Sequence, residues 1–178
     1  MKQITFVIGG CRSGKSRHAL ELAEKYDVIH HVYIATCVPQ DDEMRYRVEL
    51  HQSERGHHWS TVEEPIGLPE VLRSYSSPDT VLLVDCLTLW VTNLLMETNS
   101  QEPEHFIEPT KKLVQALENV KGPVVLVANE VGTGVVPDNT LARLFRDTAG
   151  SVNQHVATVA DTVIWMVAGI PTKIKPTG

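Results

Sequence analysis

The chain has 178 residues and a formal net charge of −6. That length favours one domain around a single core, and the acidic balance argues against a general binder of nucleic acid or of anionic membranes. The three cysteines, Cys11, Cys37 and Cys86, are far apart and odd in number. They give no disulfide framework and no zinc spacing, so a reducing cytoplasm is the simple reading. No long uninterrupted apolar segment is present, so no membrane span is expected. The start, MKQITFVIGG, has too short an apolar part for a signal peptide and reads as a first buried strand.

In chain order, Ile4 to Ile8 predicts a strand, and Lys15 to Lys25 a helix with Ala19, Leu22 and Ala23 on one face. HVYIA, His31 to Ala35, predicts a second strand. Asp41 to about Glu54 predicts a helix opened by two acidic residues, with Met44, Val48 and His51 sharing a face. Thr61 to Glu64 is ambiguous, and Leu68 to Tyr75 suits a short helix. TVLLVD, Thr80 to Asp85, is a strand. Helices are expected over Leu87 to Met96 and Glu104 to Val120, a strand over Pro123 to Ala128, and a helix over Leu141 to Val159. A strand over Thr162 to Ala168 and an edge strand at 173–175 complete the pattern. Near-continuously apolar strands alternating with helices predict an α/β fold with a mostly parallel sheet covered on both faces. Ser74 to Asp79 and Thr98 to Glu104 read as loops and not as domain boundaries.

Between the first strand and helix lies GGCRSGKS, in which Gly9, Gly14, Lys15 and Ser16 satisfy G-x-x-x-x-G-K-[ST]. The glycines let the backbone curl so that several N–H groups converge on an oxyanion. The following helix adds its positive end. Lys15 can reach β- and γ-phosphate oxygens, and the Ser16 hydroxyl can ligate Mg²⁺. The plain alternative is a glycine turn that happens to carry Lys-Ser, but a strand before and a helix after are the context a phosphate loop requires. A second acidic group is expected at the end of another buried strand. Asp85 fits, as a ligand of Mg²⁺ or as a cap for the next helix.

A small-molecule kinase, a GTPase-like switch and an ATP-dependent binding or assembly module all remain open on these features. The switch would need Asn-Lys-x-Asp after a late strand, whereas Asn129-Glu130-Val131-Gly132 lacks both the Lys and the Asp.

Further segments carry a resemblance: YIATCVPQDDEMRYRVELHQSER, HHWSTVEEP, LLVDCLTLWVTNLL and VVLVANEVGTGVVPDNTLARLFRD, with KIK near the end. The joint occurrence of DDEM-x-x-R, W-x-T, LT-x-W-x-TNLL and NEVG-x-G-x-VP is far more specific than the phosphate loop alone. Over essentially its whole length the chain resembles the bifunctional adenosylcobinamide kinase/adenosylcobinamide-phosphate guanylyltransferases of cobalamin biosynthesis. The resemblance implies a P-loop NTPase (RecA-like) three-layer fold, a single domain over 1–178, a cytoplasmic location and a homotrimer. It implies two reactions on adenosylcobinamide: phosphorylation by ATP or GTP, then transfer of GMP from GTP to adenosylcobinamide-phosphate through a GMP–histidine intermediate. The matching histidine is His51, and an imidazole that is largely unprotonated near neutral pH suits that role. Nucleotide contacts are implied for Gly9, Gly10, Cys11, Arg12, Ser13, Gly14, Lys15 and Ser16, for Ala35, Thr36 and Cys37, for Gln52, Ser53, Glu54 and Arg55, and for Glu63 and Asp85. Mg²⁺ would be held by Ser16 and Asp85. The alternatives are a monofunctional corrinoid kinase or nucleotidyltransferase, or a nucleotide-binding regulator.

Without the resemblance His51 would read as a packed histidine, and His57 and His58, next to Trp59, would be equal candidates for catalysis. His18 reads as a helix-surface residue, Glu63 as a solvated charge, and His30, His31, His105 and His155 carry no pattern. The chain departs from the family at Cys11, where alanine is frequent, and at Leu50, where some relatives are polar or basic. Neither change removes a backbone N–H or the nucleophile.

Overall fold

Alternating side chains along each strand decide the architecture. The computed structural model describes residues 2–38, 55–98 and 102–176. Strands β1 (Gln3–Gly9), β2 (His30–Ala35), β3 (Trp59–Glu63), β4 (Thr80–Asp85), β5 (Pro123–Asn129), β6 (Thr162–Val167) and β7 (Ile170–Lys175) form one seven-stranded sheet. Its order is β3-β2-β4-β5-β1-β6-β7, parallel throughout except for the last pair. Among the described residues the α-helices are α1 (Lys15–Ala23), α2 (Leu68–Tyr75), α3 (Leu87–Thr98), α4 (Ile107–Glu118) and α5 (Thr140–Val159).

Even-numbered residues of the central strands face one layer. Ile4, Phe6, Val32, Ile34, Leu82, Val84, Val124 and Leu126 pack there with Leu72 of α2, Trp90 and Leu94 of α3, Leu113 and Leu117 of α4, and Val152 and Val156 of α5. Odd-numbered residues face the other side. Val7, Tyr33, Val81, Leu83, Val125 and Val127 cluster there with Ala19 and Ala23 of α1. Trp90 is fully buried, and its indole N–H donates to the Ile66 carbonyl at 2.8 Å, so burying this large ring leaves no polar atom unpaired.

Most expected elements stand within two residues of their predicted bounds. The ambiguous Thr61–Glu64 stretch is strand β3, pairing in parallel with β2 from Trp59 opposite His31 to Glu63 opposite Ala35. The single helix expected over Glu104–Val120 is instead a 3₁₀ turn, Pro103–Phe106, followed by α4. Pro109 falls in the first turn of α4, where helical N–H groups have no partner to lose. The three-residue edge strand is longer, Ile170–Lys175, and Ala168 and Gly169, both at positive φ (51° and 81°), make the tight two-residue turn that reverses the chain. The helix expected over Asp41–Glu54, and His51 within it, lies outside the described residues.

Candidate nucleotide-phosphate site

The loop between β1 and α1 is built by backbone constraints. Gly14, immediately before α1, has φ 87°, and Arg12 has φ 54°. The Ser13 N–H donates to the Gly10 carbonyl at 3.3 Å and the His18 N–H to the Gly14 carbonyl at 3.0 Å, closing the curl onto the first turn of α1. Gly9 is required by space: a Cβ there would lie 2.6 Å from the Met166 carbonyl oxygen and 2.7 Å from Ser13 Oγ. Two neighbouring turns brace the loop. The Gly169 N–H donates to the Ser13 carbonyl at 3.0 Å, and the Glu130 N–H donates to the Gly9 carbonyl at 3.0 Å. Lys15 Nζ donates to the Gly10 carbonyl at 3.2 Å, which holds the ammonium over the loop.

The acidic group stands where the sheet register puts it. Asp85 ends β4 and lies opposite Ala35 of β2 and Val127 of β5. It shares the α1 side of the sheet with Tyr33, whose hydroxyl donates to Asp85 Oδ2 at 2.8 Å. The Arg55 guanidinium lies 3.5 Å from the centre of the Tyr33 ring, a cation–π contact. Burial, and then the charge of Asp85, push the Tyr33 hydroxyl well above its ordinary range, so it remains a donor. Ser16, Arg17, Leu20, Tyr33, Arg55, Leu83, Asp85 and Val127 line one small cleft, with a cavity of about 10 Å³. That is room for one water-sized body. A hydroxyl and a carboxylate facing such a space are hard oxygen donors of the kind Mg²⁺ takes, so the residues present fit that ion.

The structure thus brings together Gly9 to Ser16, Arg55 and Asp85. It places Ala35, Thr36 and Cys37 beside them at the end of β2. Thr36 is fully buried, and its hydroxyl donates to the Cys86 carbonyl and accepts from the Cys86 N–H, both at 2.8 Å. Its carbonyl accepts from Asn93 Nδ2 at 2.7 Å and its N–H donates to the Asp85 carbonyl at 3.2 Å. Thr36 therefore positions the chain around Asp85, with its polar groups already engaged. Burial, and then Asp85, push the Cys37 thiol up. Glu63 is exposed at the end of edge strand β3, in register with Ala35, so Glu63, Ala35 and Asp85 form a row across three strand ends. At about 4.8 Å per strand, Glu63 stands some 19 Å across the sheet from β1. Gln52, Ser53 and Glu54 lie outside the described residues.

Several residues here escaped sequence reasoning. Tyr33 was legible only as an apolar-strand aromatic, although a hydroxyl in a buried strand always needs a partner. Asn93 ties α3 to the site by donating to both the Thr36 and Pro65 carbonyls, at 2.7 and 3.0 Å. Asn129 lies in register with Gly9, and its N–H donates to Thr88 Oγ1 at 2.7 Å. Asn129 Oδ1 and Ser13 Oγ are buried beside the loop with no hydrogen-bond partner among the described residues. The signal for Asn129 was its place at the end of an apolar strand in NEVG, which the comparison with a guanine-reading motif set aside.

The model of the family described as "cobinamide kinase / cobinamide phosphate guanyltransferase" matches residues 5–174. The chain belongs to this family. It is 44% identical over 179 residues to the bifunctional adenosylcobalamin biosynthesis protein CobU of Escherichia coli K12, covering 95% of this chain and 98% of that one. It is 41% identical over 169 residues to the bifunctional adenosylcobalamin biosynthesis protein CobP of Pseudomonas aeruginosa, covering 95% of each. The relatives' names favour the bifunctional reading over a monofunctional kinase or a regulator. Among solved structures, a prototypical type III secretion ATPase of pathogenic bacteria superposes with a TM-score of 0.58 at 12% identity, over 96% of this chain and 56% of that one. The ATPase EscN of enteropathogenic E. coli gives 0.56 at 11%, over 93% and 43%. The chain spans about half the length of these ATPases, and the likeness carries the fold alone: an α/β P-loop architecture with a mostly parallel central sheet. This cobinamide kinase family member has no helix among its described residues that is long and apolar enough to cross a membrane.

Proposed function

We propose that this chain carries both reactions of its family in one domain, on one nucleotide-phosphate site. The observation that supports this most directly is the cleft shared by Ser16, Arg55 and Asp85 at the mouth of the phosphate loop. In the kinase step the hydroxyl oxygen of adenosylcobinamide attacks the γ-phosphorus of ATP or GTP, and its proton passes to solvent. The bond to the β-phosphate oxygen breaks and the nucleoside diphosphate leaves. Loop N–H groups, Lys15 and the start of α1 hold the triphosphate and spread the developing charge. Ser16 and Asp85 would hold Mg²⁺, which supplies charge neutralisation on the phosphate oxygens. Tyr33 fixes the Asp85 carboxylate, and Arg55 faces the same oxyanions with a planar donor fork.

In the second reaction an imidazole nitrogen of His51 attacks the α-phosphorus of GTP. The α–β phosphoanhydride bond breaks and pyrophosphate leaves. An oxygen of adenosylcobinamide-phosphate then attacks the phosphorus of the phosphoramidate, the P–N bond breaks, and adenosylcobinamide-GDP is released. The histidine regains its lone pair, so the cycle balances without a further reactant. Gln52, Ser53 and Glu54 flank the nucleophile in sequence, and Glu63 would meet the nucleoside end of the ligand. The site works in the cytoplasm, and the chain self-associates as a homotrimer. The exposed apolar residues Trp165, Val167, Ile170 and Ile174 on the β6–β7 edge favour such self-association.

The test is covalent labelling. The protein is incubated with Mg²⁺ and GTP labelled at the α-phosphate, denatured, and examined for label that survives base but not acid. Label in the wild type and its loss in His51→Ala, with His58→Ala still labelled, is the expected result. Absence of label in a wild type that still binds GTP overturns the guanylyltransferase half.

A further inference from the structure

A second cluster of chemistry-bearing side chains lies at the opposite end of the sheet from the phosphate loop. Glu24 follows the last turn of α1, His31 sits at the start of β2, and His58 lies in the turn just before Trp59, the first residue of β3. The loop is at the other end of α1, a nine-residue helix, so about 14 Å of helix separates the two places. His58 Nε2 lies 3.1 Å from Glu24 Oε2. Trp59 Nε1 donates to the other oxygen, Oε1, at 2.7 Å. The His31 ring stands edge-on to His58 with centroids 4.9 Å apart. One ligand atom from each of Glu24, His31 and His58 lies within 4.8 Å of the other two.

We propose that Glu24, His31 and His58 form a binding site for a divalent transition ion of the Zn²⁺ class, distinct from the Mg²⁺ of the nucleotide site. Two imidazoles and one carboxylate are the donor set such an ion prefers, whereas Mg²⁺ and Ca²⁺ take oxygen. A plain histidine–carboxylate pair needs only His58 and Glu24, and leaves unexplained why a second imidazole is packed against the first. The Trp59 indole holds the carboxylate from behind, as outer-shell donors orient metal ligands. Gly56 serves the same geometry. A Cβ there would lie 2.6 Å from His58 Nδ1, so only a glycine leaves the ring where it is, with Nε2 turned to Glu24. Glu24 and His58 remain partly open to solvent, with side chains 39% and 51% exposed, so the ion can enter and keep a water as its fourth ligand.

The site joins the end of α1 to the first residues of the paired strands β2 and β3. In the sequence His58 follows His51 by seven positions. A bound ion would therefore clamp the chain just beyond the segment that carries the proposed nucleophile, without touching the nucleotide.

The experiment uses the full chain, stripped with chelator and titrated with Zn²⁺ against a chromophoric competitor. Co²⁺ serves as a spectroscopic substitute, and the melting temperature is followed with and without Zn²⁺. The expected result is one ion per chain, a Co²⁺ visible spectrum of low symmetry, and a rise in melting temperature on Zn²⁺ addition. His31→Ala, His58→Ala and Glu24→Gln should each weaken binding by about tenfold or more, the scale that even outer-shell losses reach. His30→Ala, His57→Ala and Cys11→Ser should leave it unchanged, which separates this cluster from its neighbours. A wild type that takes up no Zn²⁺ overturns the proposal. So does uptake undiminished in a His31→Ala/His58→Ala double variant that melts in chelator like the wild type. GTP binding measured in parallel keeps this outcome separate from the kinase and guanylyltransferase assignment.

Discussion

Tyr33 and Asp85 sit on adjacent strands and the same sheet face, with the tyrosine hydroxyl donating to the carboxylate at 2.8 Å. The pair forms because parallel register sets Ala35 opposite Asp85, which leaves the side chain two residues earlier on β2 diagonal to it. Tyr33→Phe removes the donor and keeps the ring under Arg55. On the proposed metal role of Asp85, the Mg²⁺ concentration for half-maximal turnover should rise about tenfold, while nucleotide binding without Mg²⁺ stays as it was. A Mg²⁺ titration of turnover at saturating nucleotide measures this. Asp85→Asn should lose far more activity, by a factor of about a hundred or greater.

Gly9→Ala forces a methyl against the Met166 carbonyl and Ser13 Oγ, at 2.6 and 2.7 Å. Neither neighbour retreats cheaply, since one is backbone and the other is held in the loop. The expected cost is about 1–3 kcal/mol of stability together with loss of nucleotide binding. Urea unfolding and a fluorescent-nucleotide titration read the two effects separately. Gly10→Ala has open space around its Cβ, and should be close to neutral in stability.

Lys15→Ala and His51→Ala should divide the chemistry. Loss of the loop ammonium should weaken triphosphate binding and slow both reactions by roughly a hundredfold or more. Loss of the imidazole should abolish GMP transfer and spare phosphorylation of adenosylcobinamide. Separate assays for phosphorylated corrinoid and for released pyrophosphate distinguish these patterns.

The cysteines report on the site by their different reactivity. Cys11 is exposed in the loop, Cys37 is half-buried and Cys86 is buried. Burial, and then the negative charge of Asp85, push the Cys37 thiol above its ordinary range, so its alkylation should be slow near neutral pH and accelerate as the pH is raised. Burial raises Cys86 as well, and it should react only on unfolding. Timed alkylation at pH 8, read by peptide mass, should find Cys11 first, and bound GTP should slow it.

How much was readable from residues alone follows from what each signal depends on. The phosphate loop was legible because its physics is local: a strand, a curl that only Gly9 and Gly14 permit, and a helix start. Asp85 was legible as a strand-end carboxylate because it closes the apolar run VLLV, and the structure sets it in one cleft with Ser16. Thr36 was read as a contact, yet its hydroxyl bridges both polar groups of Cys86, a pairing set by which strands adjoin. Tyr33 and Asn129 were missed for the same cause, since strand order puts β2 beside β4 and β5 beside β1. The Glu24–His31–His58 cluster has no spacing at all in the sequence, because its members come from three elements whose meeting is purely tertiary. The split of the Glu104–Val120 helix was readable in principle from Pro103 and Pro109.

Among the described helices α1 supplies most of the cover on the odd-numbered face of the central strands, through Ala19 and Ala23, and on the proposed site the same helix presents its first turn to the phosphates. The helix therefore belongs at once to the folding core and to the ligand's contact surface. Any free energy gained when a triphosphate seats on Gly14, Lys15 and Ser16 is gained only by molecules in which Ala19 and Ala23 are already packed. On the proposed site, nucleotide would be a folding ligand for this layer, and the melting temperature should climb with the logarithm of its concentration above the dissociation constant. A chain held with GTP would then open less often than one without it, and would survive protease longer.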